Sequence, residues 1–219
     1  MAVSGNPSSR IAILKKIKAG IERAELPMPF PEAEAQKSQP VFAEMRHSTE
    51  ETFAEEFIKL GGKFVFCDST TELLENIQNL YDGNEWKTLL CAEPALLKLF
   101  TDARLSFVTA ATPQQETAEA CITGCELLVA RTGSIILSSA QPLGRVASVY
   151  FPVHIVVARA SQVVPDIADA LVAMQQRYGN ALPSMVNLNT GPSRTADIEK
   201  TLVVGVHGPR EVYCFLLNQ

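Results

Sequence analysis

The stretch STEETFAEEFIKLGGKFVFCDSTTELL, residues 48–74, decides the fold. Ser48 stands three residues before Glu51, the pattern in which a hydroxyl and a carboxylate each satisfy one free N–H of a helix start. Phe53, Phe57 and Leu60 then recur at helical spacing, and Gly61-Gly62 supplies the permissive backbone that ends a helix. Lys63 to Asp68 reads as a strand. Ser69 with Glu72 repeats the capping pattern, and Leu73, Leu74, Ile77 and Leu80 mark the buried face of a second helix. Helix, strand and helix within so short a span imply crossover units, and so a parallel sheet covered by helices.

The rhythm continues outward. Thr88 to Ala92 is the next strand, Pro94 opens a short helix, and Leu105 to Ala110 is a further strand. From Glu126 the pattern changes: Leu127 to Ala130, Ser134 to Leu137 and Val153 to Val157 are apolar runs separated by turns. The uncharged stretches Thr132 to Gly144 and Val146 to Ala158 read as buried strands. After Pro165 a helix returns with Ile167, Leu171, Met174 and Tyr178 on one face. Met185 to Asn189, Leu202 to Val206 and Val212 to Leu217 complete the strands. The expected fold class is α/β, a layered domain built on a mixed sheet and preceded by an N-terminal helical arm.

That arm occupies residues 1–44. Ser8 or Ser9 can cap a helix in which Ile11, Leu14, Ile17 and Ile21 recur near helical spacing. The prolines from Pro27 to Pro40 then forbid helix or central strand, leaving an extended connector. Such an arm can lie on its own domain or on a neighbouring subunit, and the second arrangement would build a homo-oligomer. Residues 45–219 form the α/β domain.

Composition narrows the function classes. Of 219 residues, 47% are hydrophobic and 20% charged, the balance of a folded globular chain. A net charge of −5, with both signs mixed along the sequence, argues against a nucleic-acid surface. The apolar runs are too short for a membrane span, and the first residues lack a secretory signal, so the expected location is cytoplasmic. Five cysteines without a regular framework suit reduced thiols. Cys121 and Cys125 fall short of a zinc or iron–sulfur ligand set, and no nucleotide or phosphate loop is present, so no cofactor is expected on this chain.

The chemistry concentrates between Gly191 and Arg210. Ser193 can cap a helix whose free N–H groups attract a carboxylate or phosphate, with Arg194 forking onto the same anion and Thr195 and Asp197 in the following turn. Asp197 and Glu199 are two apart and would point to different sides of that helix. His207, at the end of an apolar strand and ahead of Gly208-Pro209, can move a proton or fix the turn. Thr132, Gly133 and Ser134 can form a small anion-binding concavity between two strands. Glu126 beside them is a candidate nucleophile or base. His154, within an apolar run, reads as a satisfied core histidine.

GPSRTADIE at residues 191–199 followed by GVHGP at 205–209, together with Thr132-Gly133-Ser134 and Pro152-Val153-His154-Ile155, resembles the lactate-utilisation protein C family, the LUD-domain proteins. Arg131 stands where members commonly carry an acidic residue. The resemblance implies a fold similar to the sugar-phosphate isomerase and CoA-transferase superfamily. It also implies a non-redox subunit in the oxidation of L-lactate to pyruvate, binding a small carboxylate, with iron–sulfur clusters on partner proteins of the same system. The other expectation, by fold analogy, is a free-standing CoA-transferase-like or isomerase-like enzyme acting on a small anion through Glu126.

Overall fold

The computed structural model describes residues 7–21, 45–111, 118–198, 201–205 and 207–218; in 7, 8, 21, 195–198 and 201–203 the description covers the main chain alone. The Pro-rich connector, Glu199 and Val206 lie outside it. The chain divides into two compact units, Met1–Glu44 and Met45–Gln219. In the first, helix α1 (Pro7–Ile21) starts on proline, so Ser8 and Ser9 sit inside its first turn rather than before it. Ile11, Ile13, Leu14 and Ile17 are exposed along it.

In the second unit the opening motif folds as its chemistry dictates. Helix α2 (Thr49–Lys59) has Ser48 accepting from the Glu51 N–H and the Glu51 side chain accepting from the Ser48 N–H. At its other end, the Gly62 N–H reaches Phe57 O and the Gly61 N–H reaches Ile58 O, with Gly61 at φ +87°, the paired bonds that close a helix on a left-handed residue. Strand β1 (Lys63–Cys67) follows, then helix α3 (Thr70–Asp82), where Ser69 caps Glu72 while the Glu72 carboxylate accepts from Asp68 instead. Strand β2 (Leu89–Cys91), helix α4 (Pro94–Asp102) and strand β3 (Val108–Ala110) complete the alternation.

The remaining elements are strands β4 (Ala120–Thr123), β5 (Leu127–Val129) and β6 (Ser134–Ser138), helix α5 (Ala147–Tyr150), strands β7 (Val153–Arg159) and β8 (Val163–Val164), helix α6 (Ile167–Tyr178), and strands β9 (Val186–Asn189), β10 (Arg194–Ile198), β11 (Thr201–Val204) and β12 (Glu211–Leu217). Three corrections to the sequence reading follow. Residues 147–150 of the expected buried strand are a short helix, because the chain turns before re-entering the sheet. Leu171 lies exposed, and Ala170 and Met174 are the buried residues of α6. Ser193 precedes a strand, not a helix, so the expected helix-start anion site does not exist.

The expected single mixed sheet is resolved into three. Six strands, in the order β1-β12-β7-β4-β2-β3, run parallel throughout. A second, mixed sheet has the order β8-β5-β6-β9, and β10 and β11 form an antiparallel hairpin. The large sheet is covered on both faces, which is why its central strands read as unbroken apolar runs. Along β12, Tyr213, Phe215 and Leu217 pack with Leu73, Ile77 and Phe100 of α3 and α4. Val212, Cys214 and Leu216 point the other way, to Phe53 and Phe57 of α2 and to Leu128, Ile135 and Leu137 of the second sheet. Helix α6 covers the far side of that sheet through Ala170 and Met174. Each large side chain so buried contributes about 1.5–3 kcal/mol. His154 shares the face of Val156 and Ala158 by its place in β7, which puts it between the two sheets.

Candidate functional site

A cleft of about 310 Å³ opens where the two sheets meet, beside the amino-terminal ends of β7 and β12. The volume is at the lower end of the range for small-molecule sites. His154 lies on the large-sheet side, Asn187 and Asn189 on β9, Ser148 on α5, and Ser193 and His207 on the loops that flank the β10–β11 hairpin. The two motifs that the sequence places fourteen residues apart thus meet in space.

Their meeting is built from main-chain bonds. The Ser193 N–H donates to Pro209 O at 2.9 Å, the Gly205 N–H donates to Ser193 O at 2.9 Å, and the Ser193 hydroxyl donates to His207 O at 3.0 Å. Gly208, at φ +141°, leaves room that a side chain would take, since a Cβ there would lie 2.8 Å from the Ser193 Cβ. Ser193 is therefore a clasp. His207 contributes its carbonyl to that clasp and keeps its ring exposed at the cleft.

The other expected residues disperse. Arg194 turns away from the cleft, and its guanidinium donates to Leu60 O, the carbonyl at the end of α2, where a cation also suits the negative end of the helix. It is removed from the anion site by this geometry. The side chains of Thr195 and Asp197 lie outside the described residues. Thr132, Gly133 and Ser134 form a turn pressed onto α2: Gly133 has φ +58°, and a Cβ there would lie 2.5 Å from the Phe57 nitrogen. Ser134 Oγ donates to Thr132 Oγ1 at 2.8 Å and lies 2.9 Å from Thr190 Oγ1, so this turn meets the cleft only through Thr190, which lines it. Arg131 pairs with Asp166 at 2.7 Å.

Glu126 belongs elsewhere. It is 3% exposed and accepts from Ser138 Oγ at 2.6 Å, Tyr178 OH at 2.7 Å and Arg177 Nη1 at 2.5 Å. It lines a second cavity, of about 600 Å³, shared with Glu93 and Gln141. Burial holds the Glu93 carboxyl above its ordinary range, offset in part by the Gly124 N–H it accepts. All five cysteines are buried, and burial pushes the Cys91 thiol up to about 12, which disfavours a thiolate.

Sequence reasoning missed the groups that make the first cleft unusual. Ser148 Oγ and Asn189 Nδ2 are buried and, among the described residues, have no hydrogen-bond partner. Both line this cleft. The Asn189 carbonyl oxygen accepts from Asn187 Nδ2 at 3.2 Å, which leaves the amide nitrogen as its uncommitted end. A buried donor without a partner costs about 1–3 kcal/mol, and two around one cavity give it donors that a bound group can satisfy. The alternation Val186-Asn187-Leu188-Asn189 was the available signal, since period two sends both asparagines to one side. His154 is satisfied as expected, with Nε2 2.8 Å from Thr123 Oγ1, yet it also lines the cleft.

The fold and cleft define an α/β protein with a helix-covered parallel sheet and a small polar pocket at its junction with a second sheet. Comparison with known proteins places it more closely: residues 50–217 match the LUD domain, and the chain belongs to that family. It is 40% identical over 105 residues to the lactate utilization protein C of Bacillus subtilis (strain 168), a match covering 47% of this chain and 44% of that protein. The corresponding protein of Bacillus licheniformis is 38% identical over 96 residues, covering 43% of this chain and 40% of its own length. The matched stretch is thus less than half of each relative. Among solved structures, a DUF162 family protein from Deinococcus radiodurans superposes with a TM-score of 0.59 at 20% identity, covering 80% of this chain and all of that one, a likeness of fold. Among the described residues no helix is long and apolar enough to cross a membrane.

Proposed function

We propose that this protein serves lactate utilisation by binding a small carboxylate in the cleft between Ser148, Asn189 and His207. The carrying observation is the pair of buried, unpartnered donors, Ser148 Oγ and Asn189 Nδ2, around one cavity. A carboxylate has two acceptor oxygens for them, and the exposed His207 ring at the same cleft adds a further donor. The names of the Bacillus relatives supply the metabolic context.

In this reading the chain is the non-redox member of a cytoplasmic system that oxidises L-lactate to pyruvate, and iron–sulfur proteins of that system carry the electrons. The parallel sheet is compatible with kinship to sugar-phosphate isomerases and CoA-transferases. A transferase mechanism through Glu126 gains less support, because three donors already hold that carboxylate. The test is growth on L-lactate of a strain whose only copy carries Ser148→Ala with Asn189→Leu. Loss of growth with the protein present and folded is the expected result; growth at the normal rate overturns the assignment of the cleft.

A further inference from the structure

The second cavity, of about 600 Å³, lies at the other end of the large sheet, where Arg159 closes β7, Leu217 closes β12, and Glu93 and Gly124 follow β2 and β4. Strand β2 leads through α4, on one face, outward to β3. Its neighbour β4 leads through the second sheet, on the opposite face, towards β7. Neighbouring parallel strands that send the chain to opposite sides leave a crevice at their carboxyl ends, and open α/β sheets bind ligands in such crevices.

Glu93 stands in this crevice with a charge that nothing balances. It is the residue before α4, yet its side chain caps nothing there. The carboxylate reaches across from β2 to β4 instead, accepting from the Gly124 N–H and, at 3.4 Å, from Gln141 Nε2. The Gln141 amide is oriented by its own oxygen, which accepts from the Ser138 N–H at 3.1 Å. Both partners of Glu93 are neutral, and among the described residues no ion pair includes it. A carboxylate has about four acceptor positions, so capacity remains. Burial, with the Glu126 charge adding to it, is what holds this carboxyl above its ordinary range. The other groups of the cavity have structural partners: Glu126 is paired with Arg177, and Gln162 bonds the main chain through both ends of its amide. Leu73, Leu96, Leu99 and Leu217 give the cavity an apolar wall.

We propose that this cavity is a second ligand site, for a compound carrying an ammonium group on an apolar body, with the ammonium donating to Glu93 and the body lying against Leu96 and Leu99. An ammonium brings both the donors and the positive charge that Glu93 lacks. The site is separate from the carboxylate cleft, and neither reading depends on the other. The starts of α3 and α4, at Thr70 and Ala95, also line the cavity and would draw an anion, but Glu93 already sets a negative charge before them. Arg159, exposed at the end of β7, is the side chain that an anion would use.

The test uses the full-length chain and compares benzylammonium with benzyl alcohol, which share one apolar body, by ligand-observed NMR titration. Benzylammonium is expected to bind at least about tenfold more tightly, the size of one charge-assisted hydrogen bond. Glu93→Gln keeps an acceptor for the Gly124 N–H and is expected to bring the two compounds within about twofold of each other. Equal affinities in the unaltered protein, a preference that survives Glu93→Gln, or failure of both compounds to bind overturns the proposal. Binding of inorganic phosphate in place of benzylammonium, weakened by Arg159→Ala, overturns it in favour of an anion site. Should Glu93→Gln not fold, intermolecular NOEs on the unaltered protein decide: contacts from the benzyl ring to the Leu96 and Leu99 methyls support the site, and contacts confined to other residues overturn it.

Discussion

The Ser193 hydroxyl donates to the main-chain carbonyl of His207 at 3.0 Å, and this bond ties together two Gly-Pro turns that border the cleft. Side chains that a sequence reading assigns to chemistry are here spent on holding the loops. The groups left for a ligand are those with no structural duty.

Ser148 gives the sharpest consequence. Its hydroxyl is buried without a partner, so Ser148→Ala removes a cost and loses no bond. The variant is expected to be about 1 kcal/mol more stable while binding L-lactate more weakly. Chemical denaturation and ligand titration on the same preparation check both signs; a destabilised variant would mean that the hydroxyl has a partner after all.

His154 predicts a pH dependence. Its pKa is about 4 in the folded chain against 6.5 for an ordinary histidine, so between these values the unfolded chain binds the extra proton. Stability contributed by the neutral ring is complete above about pH 6.5 and is lost as pH falls towards 4, by up to about 3 kcal/mol. Urea unfolding across that window should show a shallower acid slope in His154→Gln than in the parent.

Gly133 is required on two counts, its positive φ and the approach of the Phe57 main chain. Gly133→Ala is expected to cost about 2–4 kcal/mol, since the left-handed strain and the displacement of α2 add. The midpoint of denaturation measures it. A loss below about 1 kcal/mol would show that the turn relaxes freely.

For Arg194 the expectation runs against its prominence in the motif. Arg194→Ala should lower stability by about 1 kcal/mol, through loss of the bond to Leu60 O, and leave L-lactate affinity within about twofold. A large loss of affinity with unchanged stability would return it to the ligand site.

The capping signals explain why the first half of the domain was legible. Ser48 with Glu51 and the Gly61-Gly62 stop are local chemistry, and local chemistry prevailed there. Strand β4 was not legible, because Ala120–Thr123 takes its strand character from pairing with both β2 and β7. Ser193 misled for the same reason: a serine after Gly-Pro can cap a helix, yet Arg194 and Thr195 pair with Val204 and Val203. Ser148 carried no local sign, and Asn189 only the alternation that sets it on the side of Asn187. Whether a buried donor finds a partner depends on the assembled fold, and a lone serine in an apolar run looks the same either way.

Strand β12 lies between β1 and β7, pairing Lys63 with Tyr213 and Glu211 with Val153. The strand next to one edge of the large sheet is therefore made late, long after its neighbours on both sides. During synthesis β1 and β7 each wait with an open edge, and pairing across so much intervening chain is slow. Until β12 is in place two strand edges of the large sheet stay unpaired, and an unpaired edge is where a chain can pair with the wrong partner.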